Sequence, residues 1–338
     1  MKNRNEQKKT PALSGYSGKK ILITGGRGYL AANLVSALEK INCALTLLDM
    51  TPPPARRPRA AARIKDVTSD IRTLRDWSAL LRGADIVFHL AAQTSIKAAD
   101  ADPISDLAVN VMPMLTLLET CRKKKFRPAI IFASTVTAAG IPRMLPVDES
   151  FRGLPPSVYD LHKTIAEDYL EFYAASGAVS GGTLRLANVY GPGPKSGSAD
   201  RGILNLMVRK ALKGEELPLY GNGKYIRDYV YVKDVAAAFL AAGLKARKLG
   251  GRRFIIGSGT GHSLLQAFRL VSERAARKTG KRTRIVKIAP QGGITALDKR
   301  NFIANSRLFR KTAGWRASYG LSEGIDGTIA SYLESEGG

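Results

Sequence analysis

Tyr159 and Lys163 stand four residues apart in Tyr159-Asp160-Leu161-His162-Lys163, at the start of a helical pattern, so one helix face presents both side chains. A phenol with an ordinary pKa of about 10 is a poor base near neutrality, but an ammonium beside it stabilises the phenolate. Such a pair can move the proton of a substrate hydroxyl. Thr135, just past the apolar run 129–133, adds a hydroxyl able to bond the reacting oxygen and relay its proton to Tyr159. Ser134 competes for that role. The Tyr-x-x-x-Lys spacing is commonplace in helices and gains weight only beside a nucleotide site.

Two other phrases concern the substrate. Leu184-Arg185-Leu186-Ala187-Asn188-Val189-Tyr190-Gly191-Pro192-Gly193 ends an apolar strand on Asn188 and a Gly/Pro turn, and Arg227-Asp228-Tyr229-Val230-Tyr231-Val232 follows later. An asparagine at a strand end with a later Arg-Asp pair points to a diphosphate-linked ligand of the nucleotide-sugar kind.

The cofactor half comes earlier. A short apolar run over 20–24 leads into Thr24-Gly25-Gly26-Arg27-Gly28-Tyr29-Leu30-Ala31 and a helix through Leu38. Glycines there let backbone N–H groups approach a pyrophosphate at a helix N-terminus. A second apolar run, 44–48, ends on Asp49, where a carboxylate can accept from adenosine ribose hydroxyls. Asp49 favours NAD; Arg56, Arg57 and Arg59 in the next loop keep NADP as the alternative. Asp66-Val67 is a candidate adenine contact, with a helix N-cap as the competing role for Asp66. In His89-Leu90-Ala91-Ala92-Gln93, tiny side chains leave room for a cofactor, and His89 reads as a buried, satisfied histidine.

These groups need a frame. Strands are expected at 86–90, 129–133, 184–189, 229–232 and 254–256, and helices at 104–123, 157–175, 204–213 and 234–244. Pro113 should kink the first of those helices, and Gly314-Trp315 with 321–333 should form a terminal helical segment. The pattern is that of a Rossmann-type doubly wound parallel sheet with a smaller C-terminal α/β lobe for substrate. Boundaries are drawn at 1–18 for a basic flexible arm, 19–183 for the nucleotide domain and 184–335 for the lobe, segments near 228–257 returning to the main sheet. The apolar faces of 104–123 and 157–175 are expected to build a homodimer.

With 338 residues, 44% of them hydrophobic, the chain can bury a large core. Cys43 and Cys121 lie in apolar stretches, so reduced thiols in a reducing cytoplasm are expected, and no segment is read as a signal peptide or membrane span. No metal site is expected. The net charge of +25 is concentrated between Lys245 and Arg316, where 19 lysines and arginines meet only Glu273 and Asp298. Such a field would draw an acidic membrane surface or another polyanion. Nucleic acid is disfavoured, because no aromatics interleave the basic runs to stack bases.

The motifs, with Asn110-Val111, resemble the extended short-chain dehydrogenase/reductase superfamily, and within it the nucleotide-sugar epimerase/dehydratase family, in its UDP-glucose 4-epimerase-like branch. The likeness runs from about Lys20 to Leu333. It implies hydride transfer from a sugar carbon to NAD, with Tyr159 as base, Lys163 on the nicotinamide ribose and Thr135 as hydroxyl partner. Gly25, Gly28, Tyr29, Leu30, Asp49, Asp66, Val67, Leu90, Ala91 and Ala92 would surround the cofactor. Thr94, Ser95, Thr137 and Asn188 would line the substrate, Arg227 and Arg300 meeting its phosphates.

Departures refine the expectation. Family dehydratases carry Asp-Glu after the threonine and decarboxylases a Glu, whereas this chain has Val136-Thr137, which removes the acid for water elimination. Epimerisation at C4 needs none, since a keto-sugar can turn over and accept the same hydride on its other face. Ala138-Ala139-Gly140 in place of Val-Tyr-Gly, Pro113-Met114 in place of Gly-Thr and Ala31 in place of a third glycine leave an altered pocket wall. A nucleotide-sugar reductase or dehydrogenase and a C2 epimerase are the enzymatic alternatives, and a polyanion-binding relative of the fold is the non-enzymatic one.

Overall fold

The computed structural model describes residues 13–55, 59–194, 202–289 and 295–336. In chain order its strands are β1 (Lys20–Thr24), β2 (Ala44–Asp49), β3 (Arg63–Thr68), β4 (Ile86–His89), β5 (Ala129–Thr135), β6 (Ser180–Leu186), β7 (Asn188–Tyr190), β8 (Leu217–Tyr220), β9 (Ile226–Tyr231), β10 (Arg253–Ile256), β11 (Gly261–Ser263) and β12 (Ile285–Ile288). Seven form one all-parallel sheet in the order β10-β6-β5-β4-β1-β2-β3.

Strand pleating explains why its central members read as continuous apolar runs, since successive side chains point to opposite faces and both faces are covered. Ile21 and Ile23 of β1 pack with Ala31, Leu34 and Leu38 of the Tyr29–Leu38 helix and with the alanine-rich Val232–Leu244 helix. Leu22, between them, joins Met114, Leu117 and Cys121 of the Met112–Lys124 helix and Ala166 and Leu170 of the Val158–Ala175 helix. The strand order reverses between β1 and β4, and the crevice at their carboxyl ends is where such sheets hold ligands.

A second cluster forms the smaller lobe. Leu204, Met207, Val208 and Ala211 recur at helical spacing along the Ile203–Lys213 helix and meet Phe268 and Val271 of Leu264–Thr279 and Ile325 and Ile329 of Leu321–Glu336. There β7 pairs parallel with β9, and β9 antiparallel with β11, while β12 pairs with β8.

Several expectations change. Residues 1–12 of the expected arm lie outside the described residues, but Leu13–Tyr16 is a docked 3-10 turn: Tyr16 is buried and its hydroxyl donates to the Leu240 carbonyl at 2.7 Å. Of the segments near 228–257, β10 joins the main sheet, whereas β9 belongs to the lobe's three-stranded sheet. Residues Pro103–Lys124 do have the length and apolar composition of a membrane span, contrary to the sequence reading. The segment divides at Val111 into helices Pro103–Asn110 and Met112–Lys124, with Pro113 in the first turn of the second, and half of it is buried in the fold. Gly314 is not helical; its left-handed backbone ends the Arg307–Ala313 helix, and Trp315 is buried with its indole N–H on the Asp234 carbonyl at 2.9 Å. Cys43 and Cys121 are buried free thiols, and burial pushes the Cys121 thiol up to about 12.

Candidate active site

β1 runs into Gly25, whose φ of +63° suits glycine, and a Cβ there would lie 2.9 Å from the Ala91 backbone. The two strand ends are tied by Thr24, whose hydroxyl oxygen accepts from the N–H groups of Leu90 and Ala91 at 3.1 Å each and contacts His89 Nδ1 at 3.0 Å. His89 is therefore a satisfied core histidine, its pKa held down to about 3 by burial and then by the Lys163 charge. Gly28 caps the Tyr29–Leu38 helix without a side-chain oxygen, leaving first-turn N–H groups, including those of Tyr29 and Leu30, to meet an anion.

Asp49 accepts from the Arg27 and Thr51 N–H groups, each at 2.9 Å, which holds its carboxylate beside the glycine turn. Asp66 lies within β3, with Val67 beside it, and pairs with the Arg27 guanidinium at 2.8 Å, so it is not a helix N-cap. Tyr29 also departs from expectation. Its side chain crosses to the second lobe, donating to the Gly191 carbonyl at 3.1 Å, and only its backbone is left for a cofactor. Of the three loop arginines, Arg56 and Arg57 lie outside the described residues and Arg59 is exposed.

The catalytic candidates converge at the carboxyl end of β5. Thr135 and Tyr159 are half-buried, whereas Lys163 is buried with its ammonium 4.3 Å from the Phe132 ring centre and 6.0 Å from that of Tyr159. Burial lowers the Lys163 pKa to about 8, against the opposing pull of the Glu167 and Asp106 carboxylates. Ser134 is excluded from the role: its hydroxyl donates to Glu167, which also holds Arg185 and Arg253 in a buried ion cluster. That cluster braces β5, β6 and β10 against the Val158–Ala175 helix.

Beyond β5 the chain makes a 3-10 turn, Val136–Ala139, with Thr135 as its N-cap. Small residues matter here: Gly140, at φ +96°, and Gly153 pack so closely that a Cβ on the former would lie 2.8 Å from the latter's Cα. Thr137 sits between Thr135, 2.8 Å away, and the buried Asp160 carboxylate to which it donates. Asp106, also buried, is bonded by His162 at 2.7 Å, Gln93 at 2.8 Å and Asn110 at 3.0 Å.

On the substrate side, β5 pairs Thr135 with Leu186, so the chain emerges beside it toward Asn188, which β9 then supports through Tyr229. Buried polar atoms without a hydrogen-bond partner here include Thr94 Oγ1, Asn188 Oδ1, the Tyr229 hydroxyl and Arg300 Nε. Ser95 differs, its hydroxyl capping the Ile96–Ala101 helix. Arg227 also departs from its expected role. Its guanidinium donates to the carbonyls of Asp298 at 2.7 Å, Ile226 at 3.1 Å, Leu297 at 3.4 Å and Arg300, so it anchors the segment that carries Arg300 rather than facing a phosphate. Burial and the Arg227 charge pull the Arg300 pKa down to about 10, a cost that a bound anion would relieve.

The basic stretch is less open than its composition implies. Arg274 pairs with Asp326, Arg277 with Glu273, Arg284 with Glu216, and Arg253 with Glu167, Asp168 and Glu171. Sequence reasoning assigned no role to Asp160, Asp106 or Glu167. The first two lie in or near recognised motifs, but charge inside an apolar helical face was their one visible signal.

A parallel sheet with a glycine turn at its switch point and a Tyr/Lys helix at the next strand end defines the class of dinucleotide-binding α/β enzymes. Within that class, the model of the NAD dependent epimerase/dehydratase family matches residues 21–257, and the chain belongs to that family. The UDP-glucose 4-epimerase of Mycolicibacterium smegmatis is 30% identical over 325 residues, covering 91% of this chain and 96% of the relative. A UDP-N-acetyl-alpha-D-glucosaminuronate decarboxylase of Bacillus cytotoxicus is 30% identical over 247 residues, 71% of this chain and 75% of its own. Among solved structures, the Thermotoga maritima UDP-glucose 4-epimerase with UDP-glucose superposes with a TM-score of 0.81 at 30% identity, covering 94% of this chain and 99% of that one. The Thermus thermophilus UDP-glucose 4-epimerase in complex with NAD gives 0.76 at 28% identity, covering 93% and 99%.

Proposed function

We propose that the protein epimerises a nucleotide-diphosphate sugar at C4 through a transient keto-sugar, using NAD. The observation that carries this reading is that Thr135 at the end of β5 is joined through Thr137 to Asp160, next in chain to Tyr159, with the Lys163 ammonium between the Phe132 and Tyr159 rings, while positions 136 and 137 hold no acid. The Asp160 carboxylate is buried on the helix side, bonded by Thr137 and Ser157, and does not take the place of an acid at positions 136 and 137.

The cofactor fits the cradle. Gly25 lets the turn pack against the Ala91 backbone, the Tyr29–Leu38 helix offers uncapped N–H groups to a pyrophosphate, and Asp49 stands where a ribose diol would bind. Bound there, NAD supplies a hydride acceptor that returns the hydride to the opposite face of the same carbon. The chain's own residues handle the proton. Tyr159 takes it from the sugar hydroxyl, the buried Lys163 ammonium favours the phenolate, and Thr135 holds the reacting oxygen. Thr94 and Arg300, each with a buried donor that has no partner, receive the sugar diphosphate, the free Asn188 Oδ1 accepts from a ligand hydroxyl or N–H, and Arg227 holds Arg300 in place.

Pairing of two copies is part of the proposal. Ile104 and Leu107 of the Pro103–Asn110 helix and Leu161 and Phe172 of Val158–Ala175 are exposed on helices that pack together, and light scattering reads the assembly.

Incubating the purified protein with UDP-glucose and its N-acetylated and uronic-acid analogues, with product NMR, reads the carbon that inverts. Interconversion of a C4 epimer pair is expected. Tyr159→Phe should lower kcat by a factor of about 10²–10⁴ with NAD binding unchanged. Wild-type turnover in that variant, or elimination or decarboxylation products from the native enzyme, overturns the reading.

A further inference from the structure

Three cations share a cavity that no acid lines. After β10 the turn Gly257-Ser258-Gly259 meets residues 304–307, and with Arg310 and residues 315–317 they enclose about 310 Å³. Arg307, Arg310 and Arg316 line this space and are exposed. None of the three pairs with a carboxylate among the described residues, whereas Arg274, Arg277 and Arg284 of the same basic stretch each have one.

The neutral groups of the lining are donors too. Ser306 Oγ accepts from the Gly257 N–H at 3.2 Å and makes no cap bond to its own helix, so its hydrogen is left for a ligand. Asn305 Oδ1 accepts from the Arg307 N–H at 3.2 Å, which leaves the Asn305 amide hydrogens. Ala304, Ala317 and the buried Trp315 supply the apolar part of the wall. A ligand of this cavity must bring acceptors and negative charge.

The walls are fixed before any ligand arrives. Asp228 is fully buried and accepts from the Ser258 N–H and hydroxyl at 2.7 Å each, from the Gly259 N–H at 2.9 Å and from the Ala304 N–H at 3.0 Å. One carboxylate thus ties the turn to the facing stretch. The two pack so closely that a Cβ on Gly257 would lie 2.4 Å from that of Ala304.

We propose that this cavity is a second anion site, which takes the phosphate of a soluble small molecule, a phosphomonoester or a diphosphate. Planar guanidinium forks match phosphate oxygens two at a time, and the volume is that of a small-ligand site. No lining residue is shared with Thr94, Asn188 or Arg300, so the site stands apart from the proposed reaction. Arg247 and Lys248 are exposed on the Ala246–Leu249 helix, which packs on the Arg307–Ala313 helix, and their field draws anions toward the cavity without lining it.

The test is isothermal titration calorimetry of the full-length protein with inorganic pyrophosphate as probe. Saturating UDP occupies the substrate's phosphate site, and salt at about 0.15 M screens charges more than about 8 Å away. One equivalent of pyrophosphate per chain should bind. Arg310→Glu and Arg316→Glu should each weaken it at least about tenfold, and Arg310→Lys, which keeps the charge without the fork, about threefold. The pair Arg247→Glu with Lys248→Glu removes more charge outside the cavity and should change affinity less than about threefold. Thermal midpoint and NAD affinity should match the native protein in every variant. No pyrophosphate binding, or an equal loss in the Arg247/Lys248 pair, overturns the site. Cosedimentation with phosphatidylserine vesicles that Arg310→Glu and Arg316→Glu abolish, without pyrophosphate binding, would give the arginines to a lipid surface and overturn it as well. Pyrophosphate bound here in a chain that converts no UDP-hexose would refute the proposed reaction alone.

Discussion

Replacing Arg227 with methionine separates two roles that its sequence context cannot. As a phosphate ligand, Arg227 would contribute to substrate affinity and little to stability of the free protein. The structure instead commits its guanidinium to backbone carbonyls, with the Asp298 contact at 2.7 Å and the Arg300 contact the strong ones. Hydrogen bonds to a charged group contribute about 1.5–3 kcal/mol each, so two give roughly 3–6 kcal/mol gross. Methionine no longer carries the burial cost of a cation, which offsets part of that and leaves a net loss of about 3 kcal/mol. For a chain of this size each kcal/mol corresponds to about 2 °C, so the melting temperature should fall by roughly 6 °C without ligand. Releasing the Arg300 carbonyl also loosens the Arg300 side chain, and KM for the nucleotide sugar should rise about tenfold, equivalent to about 1.4 kcal/mol. Differential scanning fluorimetry and initial-rate kinetics read both. An unchanged melting temperature with raised KM would refute the anchoring argument and restore Arg227 as a direct ligand.

Gly25→Ala must place a Cβ at a φ of +63° and 2.9 Å from the Ala91 backbone, so NAD affinity by calorimetry should fall at least about tenfold. Lys163 carries its charge below its lowered pKa of about 8 and loses it above, so the kcat–pH profile should decline above about 8; a limb near 10, where a free lysine titrates, would contradict the burial argument. Glu167→Gln leaves the buried Arg185 without its counter-ion, and urea denaturation should show a loss of about 3–5 kcal/mol.

The nucleotide half was legible because its physics is local. Gly25, Gly28 and Asp49 act through backbone freedom and a strand end, and both follow from neighbours in sequence. β1 and β2 begin and end close to where their apolar runs do, since a doubly covered parallel strand has a continuous apolar composition. The Tyr159–Lys163 pair was legible for the same reason, a spacing of four on one helix. The lobe boundary near 228–257 was not, because an apolar strand carries no mark of the sheet it will join. Nor was the docked turn at Leu13–Tyr16, whose partner Leu240 lies 224 residues further on from Tyr16.

What a charged side chain does proved hardest to read. Sequence context alone determined the fold class, the glycine turn, the tyrosine and lysine, and the absence of acids at 136 and 137. Tertiary structure alone decided that Ser134 belongs to an ion cluster, that Tyr29 and Arg227 brace the second lobe, and that the buried Asp160 carboxylate is bonded by Thr137 just past the end of β5. The physical reason is the range of the interactions. Backbone conformation and helical spacing are set within a few residues, whereas a buried charge is defined by whichever distant donors close around it, and only the folded chain brings those together.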